Sequence, residues 1–117
     1  MRVIARSTLN LFAQNCVDKS ARSTVKGQLD AWFAEASRAR WRHSAELKRQ
    51  YANASIVSAE RVVFNIKGND YRLVTAISYR TQVVLILWIG THEEYDKIDV
   101  RKVRYEKSRY TGSSDSN

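Results

Sequence analysis

The chain has 117 residues, of which 44% are hydrophobic and 27% are charged, the size and balance of one soluble globular domain. No apolar run approaches the ~20 residues of a membrane-spanning helix, and the first six residues lack the apolar stretch of a secretory signal. Cys16 is the single cysteine, which excludes an internal disulfide and favours a reducing compartment, so we expect a cytoplasmic protein without membrane attachment.

Charge is the first indication of function. Twenty Lys and Arg residues outnumber twelve Asp and Glu residues, which leaves a formal net charge of +8. The excess is concentrated in residues 19–50 and in residues 101–109. A small basic domain attracts polyanions, so nucleic acid, an anionic membrane surface and an acidic protein all remain candidate partners.

The first half of the chain predicts three helices. Ser7 can cap the first, whose core-facing stripe consists of Leu9, Phe12, Ala13, Cys16 and Val17. A second helix follows, with one apolar face made of Ala21, Val25, Leu29, Trp32, Phe33 and Ala36. After the basic segment 38–43, Ser44 can cap a short third helix that turns Leu47 and Tyr51 inward.

The second half of the chain changes to a period of two, which is typical of strands. Strands are predicted over residues 3–4, 61–67, 70–79 and 83–89. The last of these is apolar on both faces, so we expect it to be central and covered on both sides. This order predicts an α+β fold with N-terminal helices packed on a small antiparallel sheet. We expect one domain over residues 1–109 and a disordered polar tail over residues 110–117.

A two-residue hairpin loop at residues 68–69 determines how the neighbouring side chains are arranged. It sets Asn65 opposite Arg72, and alternation then gathers four polar side chains on one face: Asn65, Lys67, Asp70 and Arg72. The opposite face receives Phe64, Ile66, Tyr71 and Leu73. A three-residue loop at residues 80–82 would also set Arg72 opposite Gly90, so that the chain leaves the last strand beside Arg72.

The segment after the last strand predicts a short helix at the same end of the sheet. Thr91 and Glu94 have the spacing of a capping box, which puts His92 in the first helical turn. The backbone N–H groups of such a turn are a candidate anion site.

This cluster suits RNA cleavage by attack of a 2′-hydroxyl on the adjacent phosphate. Arg72 offers a planar fork for phosphate oxygens, and Lys67 offers a point charge or a proton. His92 or Tyr95 can exchange the other proton. This chemistry requires no metal and no cofactor, and none is predicted. The alternative is that these are ordinary solvated charges at the end of a hairpin.

Two runs of residues, 63–74 and 88–96, resemble the HigB-type toxins of type II toxin–antitoxin systems, as do residues 1–5 and the Ala-Trp-Phe sequence at 31–33. The resemblance implies a RelE-like fold and an mRNA interferase that cuts translated mRNA on the ribosome and arrests growth. It also implies a HigA-type helix-turn-helix antitoxin as partner, with operator DNA bound only through the toxin–antitoxin complex.

By position, the residues that match the catalytic groups of RelE-like toxins are Lys67, Arg72, His92 and Tyr95. Asn65 and Asn69 are further candidates for RNA contacts. The basic segment can add phosphate contacts from Arg38, Arg40 and Arg42 and stacking from Trp41; the alternative is that Trp41 belongs to the core and the arginines beside it are solvated.

Two rival functions use the same positive surface. A binding module would block translation on RNA or the ribosome without cutting. A structural or regulatory protein would use its basic face to dock an acidic partner and leave RNA untouched.

Overall fold

The computed structural model describes residues 1–111, which form an α+β fold of four α-helices and one five-stranded sheet. The strands are β1 (Arg2–Ile4), β2 (Ser55–Ile56), β3 (Arg61–Ile66), β4 (Tyr71–Ser78) and β5 (Val83–Thr91). The helices are α1 (Arg6–Asn15), α2 (Lys19–Arg38), α3 (Ser44–Gln50) and α4 (His92–Tyr95), and a 3-10 turn follows at Lys107–Arg109. None of the helices within residues 1–111 combines the length and apolar character needed to cross a membrane.

The sheet has the strand order β1-β5-β4-β3-β2. Strands β3, β4 and β5 form the predicted antiparallel meander, but β1 runs parallel to β5, with Ile4 opposite Leu85. The sheet is therefore mixed, and the prediction of an antiparallel sheet is wrong at this strand. A parallel pair requires a long crossover connection, which the chain between β1 and β5 supplies.

The two faces of the sheet bury different sets of side chains. Helices α1 and α2 cover one face and form the main core with residues such as Phe12, Leu29, Trp32, Phe64 and Leu73. A smaller cluster on the other face comprises Val63, Val74 and Trp88, packed against Tyr95, Ile98, Val100 and Val103. Strand β5 lies between β1 and β4 and contributes to both clusters, as its two apolar faces predicted, although Leu85 remains 41% exposed.

The first helix differs from its prediction at both ends. It begins at Arg6 with Ala5 in the N-cap position, so Ser7 lies within the helix instead of capping it. It ends at Asn15, so the helical periodicity that assigned Cys16 to the core no longer applies there, and Cys16 is exposed. The third helix likewise has His43 at its N-cap, and Ser44 is its first helical residue.

Tyr110, in the C-terminal segment, covers part of the edge of the sheet. The sequence had assigned this residue to a polar tail. Tyr110 is fully buried, and its hydroxyl accepts a hydrogen bond from the backbone N–H of Ile89 at 3.0 Å. Strand β1 pairs only with Val83–Leu85, so this N–H lies on an edge that β1 does not cover. The tail prediction is therefore wrong at Tyr110, while residues 112–117 lie outside the described part of the chain.

Removing the Tyr110 hydroxyl should destabilise the fold. In Tyr110→Phe the buried Ile89 N–H loses its acceptor, and we expect the free energy of unfolding to fall by about 1–3 kcal/mol. The measurement is urea denaturation followed by circular dichroism. The matched control is Tyr105→Phe. Tyr105 is 41% exposed, so water can take over any hydrogen bond that its hydroxyl makes. Equal stability of the two variants would contradict this account of the edge.

Candidate functional site

The end of the sheet at the β3–β4 hairpin has the register that the sequence predicted. Arg72 lies opposite Asn65 on β3 and opposite Gly90 on β5. Phe64 and Leu73 are buried in the main core below the helices, whereas Asn65 and Arg72 are half-buried on the other face. The predicted alternation is therefore confirmed for the residues of the strand ladder.

The hairpin turn is wider than predicted. The last ladder pair is Ile66 with Tyr71, so Lys67 and Asp70 lie in the turn, where the Asp70 N–H donates to the Lys67 carbonyl at 3.1 Å. Lys67 has a φ of 53° and Gly68 a φ of 65°, and the left-handed region is uncommon for a lysine. The Lys67 ammonium lies 3.4 Å from the Asp70 carboxylate, which offsets part of its charge.

Arg72 is held in place by the turn and by an aromatic ring. Its Nη1 donates to the carbonyl of Asn69 at 2.7 Å, so Asn69 contributes through its backbone. The guanidinium lies 6.0 Å from the centroid of the Tyr95 ring. No hydrogen bond within residues 1–111 engages Nη2 or Nε, which leaves that side of the guanidinium available to an anion.

Helix α4 begins with the predicted capping box. The Thr91 hydroxyl accepts from the Glu94 N–H at 3.1 Å, and the Thr91 N–H donates to Glu94 Oε1 at 2.9 Å. The His92 N–H donates to the Asp70 carbonyl at 3.0 Å, which ties α4 to the hairpin turn. The predicted anion site at this helix start is therefore wrong, because two of its N–H groups already bond to protein oxygens. The His92 imidazole is exposed, with Nε2 3.6 Å from a carboxylate oxygen of Glu93.

Tyr95 is half-buried between Arg72 and Trp88, whose ring centroid lies 6.2 Å from that of Tyr95. Burial raises the pKa of the Tyr95 phenol above its ordinary value; the charge of Arg72 lowers it in part, and Asp96 adds to the rise. The phenol is thus protonated at neutral pH, so it is suited to donate a proton and not to accept one.

More than half of the chain matches a known protein family. The family described as HigB_toxin, the RelE-like toxic component of a toxin-antitoxin system, matches residues 25–98, which is more than half of the chain. The chain belongs to the HigB toxin family. No curated protein was found to match it.

The matched region of this HigB-family chain contains the whole hairpin site, from Asn65 to Tyr95, and the α+β fold agrees with the RelE-like description. Within residues 1–111, no three His, Cys, Asp or Glu side chains are grouped so as to hold a metal ion. The predicted site residues in this region are Lys67, Arg72, His92 and Tyr95, and the carboxylates of Asp70 and Glu93 lie beside two of them.

The arginines of the basic segment lie away from this cluster. Arg38 and Arg40 line a cleft with Met1 and Gln82, and Gln82 is at the opposite end of β5 from Gly90, roughly 25 Å along the strand. Arg42 is ion-paired with Glu46 at 2.8 Å. The predicted RNA contacts of these three arginines are thus not brought to the hairpin site.

Trp41 belongs to the core, which decides between the two interpretations of this residue. It is 3% exposed and stacked on Phe64, with the ring centroids 6.4 Å apart. Its indole N–H donates to the side chain of Gln50 at 3.1 Å. A ring enclosed in this way has no face left for an RNA base.

Sequence reasoning missed Arg109, which reaches the site from the C-terminal segment. Its guanidinium lies 4.7 Å from the centroid of the Trp88 ring and forms an ion pair with Glu94 at 3.2 Å. The sequence signal was the basic run 101–109, but nothing in that run distinguishes one basic residue from the next.

Proposed function

We propose that this HigB-family chain is an mRNA interferase, a ribosome-dependent endoribonuclease that cuts translated mRNA in the cytoplasm and so inhibits growth. The observation that carries the proposal is the Arg72 guanidinium over the Tyr95 ring, at the end of the sheet where the Asp70 carbonyl accepts a hydrogen bond from the His92 N–H at the start of α4. Membership of a family of RelE-like toxic components supports it, and the resemblance described above implies the same activity.

The phosphate-binding role falls to Arg72. The accessible side of its guanidinium can form two parallel hydrogen bonds to phosphate oxygens, and these bonds strengthen as negative charge develops on them. Lys67 adds a second positive charge from the turn once its side chain leaves Asp70, 3.4 Å away. Asn65, opposite Arg72 on β3, and the turn residue Asn69 are proposed to contact the RNA on either side of the phosphate.

In the proposed reaction the 2′-oxygen of the RNA attacks the adjacent phosphorus while His92 accepts the 2′-hydroxyl proton. A new bond forms between the 2′-oxygen and phosphorus, and the bond from phosphorus to the 5′-oxygen breaks. Tyr95 gives its proton to the departing 5′-oxygen, since its phenol is protonated at neutral pH and burial raises its pKa further. The products are a 2′,3′-cyclic phosphate and a 5′-hydroxyl.

An antitoxin is the partner that membership of this family implies. We propose that it is a HigA-type helix-turn-helix protein, and that operator DNA is bound only through the complex of the two proteins. The net charge of +8 on the toxin is suited to an acidic surface on that partner.

The first test is mRNA cleavage in a reconstituted translation reaction, with and without ribosomes, in which RNA ends are mapped. We expect Arg72→Ala to lower the cleavage rate about 100-fold or more, because an electrostatic contact to the transition state is lost. His92→Ala should also lose most activity. Arg80→Ala is the matched control. Arg80 is exposed at the other end of β4, so this variant should cleave mRNA at the wild-type rate.

The outcome of that experiment separates the rival functions. Intact mRNA together with stalled translation would contradict the nuclease and favour a binding module that blocks without cutting. Intact mRNA with undisturbed translation would contradict both and favour docking to an acidic protein. Cleavage that is equally reduced by Arg72→Ala and Arg80→Ala would mean that general charge, and not the hairpin site, is responsible.

A second test distinguishes the proton donor from the proton acceptor. On mRNA with sulfur in place of the bridging 5′-oxygen at the mapped cut, the leaving group needs no proton. We therefore expect Tyr95→Phe to lose about 100-fold in rate on ordinary RNA and to recover most of it on the sulfur substrate. His92→Ala should stay impaired on both substrates. Recovery by His92→Ala instead would reverse the two assigned roles.

A further inference from the structure

Arg109 lies outside the region that matches the HigB family, residues 25–98, yet its side chain enters the candidate site. Its Nη2 donates to the Ile89 carbonyl at 3.2 Å and to Glu94 Oε1 at 3.2 Å. Its side chain is 30% exposed, compared with 49% for that of Glu94, so the ion pair is partly shielded from water.

Aromatic contacts connect Arg109 to the phosphate-binding arginine. Arg109 lies 4.7 Å from the centroid of Trp88, the Trp88 ring lies 6.2 Å from that of Tyr95, and Tyr95 lies below Arg72 at 6.0 Å. A continuous row of packed groups thus crosses the site from the C-terminal segment to the hairpin.

Gly90 makes this close packing possible. A Cβ atom added at this position would lie 2.5 Å from Arg109 Nη2 and 2.5 Å from an indole carbon of Trp88. Because no side chain occupies that space, the Arg109 guanidinium and the Trp88 ring can lie close to the backbone of Gly90, which is opposite Arg72 on β4.

The ion pair between Arg109 and Glu94 involves the same carboxylate oxygen that completes the capping box of α4. Glu94 Oε1 accepts from the Thr91 N–H at 2.9 Å and from Arg109 at 3.2 Å. Arg109 therefore holds the start of the helix that carries His92 and Tyr95, and it balances a negative charge that would otherwise face an anionic substrate.

The backbone that carries Arg109 is itself firmly anchored. Its neighbour Tyr110 is fully buried with its hydroxyl on Ile89, and the Asn15 amide donates to the Tyr110 carbonyl at 2.8 Å. The guanidinium is thus delivered from a fixed point between α1 and the edge of β5.

We propose that Arg109 is a positioning residue for RNA cleavage: through Glu94 and Trp88 it holds α4 so that Tyr95 and His92 face Arg72. The inference rests on the proposed function above. It assigns to Arg109 no contact with RNA and no proton transfer, so its removal should slow the reaction and leave substrate binding nearly intact.

The test compares Arg109→Gln with Arg104→Gln, which removes the same charge from an exposed position in the same segment. We expect Arg109→Gln to lower kcat about 10-fold to 100-fold with KM within about threefold of wild type, because misplaced catalytic groups lose rate more than affinity. Arg104→Gln should leave kcat unchanged. Arg109→Lys keeps a cation near Glu94 and should recover part of the lost rate. This variant also tests the inference if Arg109→Gln folds poorly.

A double-mutant cycle tests whether Arg109 acts through Glu94. Glu94→Gln preserves the capping-box geometry and removes the ionic partner. If the two residues act together, the double variant should be no slower than the slower single variant. Multiplied losses would contradict the coupling, and a rise in KM alone would make Arg109 a contact to RNA instead.

A measurement without RNA separates this inference from the proposed function. Amide NMR spectra should show shifts at residues 91–95 in Arg109→Gln and none in Arg104→Gln. If wild type cuts no mRNA, the proposed function fails, and these amide shifts still decide whether Arg109 positions α4. Unchanged amides, or a kcat equal to that of Arg104→Gln, would overturn the inference.

Discussion

The antiparallel pairing of Arg72 with Asn65 on one side and Gly90 on the other is the constraint on which the site depends. It fixes which face of the sheet carries the guanidinium. A slip of one residue would exchange the two faces of β4 and bury Arg72 beneath the helices. Because the neighbouring Leu73 is fully buried in the main core, the hydrophobic packing itself holds the register that places Arg72 on the opposite face of the sheet.

The sheet thus serves as a rigid platform whose end carries the residues that we propose to act on RNA. Strand pairing fixes the positions of residues in the regular ladder, such as Arg72. Lys67 instead lies in the hairpin turn, and His92 lies in the short helix α4 that follows β5. Their relative position depends on a few local bonds, above all that from the His92 N–H to the Asp70 carbonyl. Placing polar groups on short connections of a well-packed sheet is a common way to combine precise positioning with access for a large substrate.

The elements with a strong local pattern could be predicted from the sequence. The alternation around residues 68–69 established the register of the hairpin, and the Thr91–Glu94 spacing established the capping box. Helix α2 also buries the main positions of its predicted stripe, Val25, Leu29, Trp32 and Ala36. In each case the information lies within a few residues of the structure that it determines.

The errors arose where distant residues decide the outcome. The periodicity at Cys16 continues past the end of α1, and no residue near β1 indicates that it will lie parallel to β5. The predicted anion site at α4 is occupied by a backbone carbonyl from the hairpin turn, which alternation alone cannot reveal. The roles of Arg109 and Tyr110 depend on the uncovered edge of β5, which exists only once the sheet has formed.

The central claim is that this site performs internal transesterification of RNA, and the chemistry of the cut ends tests it most directly. Wild-type protein in a reconstituted translation reaction should leave a 2′,3′-cyclic phosphate and a 5′-hydroxyl, as identified by mass spectrometry of the fragments. A single 2′-deoxy nucleotide on the 5′ side of the mapped cut should abolish cleavage there. Fragments with a 5′-phosphate, or continued cleavage at the 2′-deoxy position, would contradict the account.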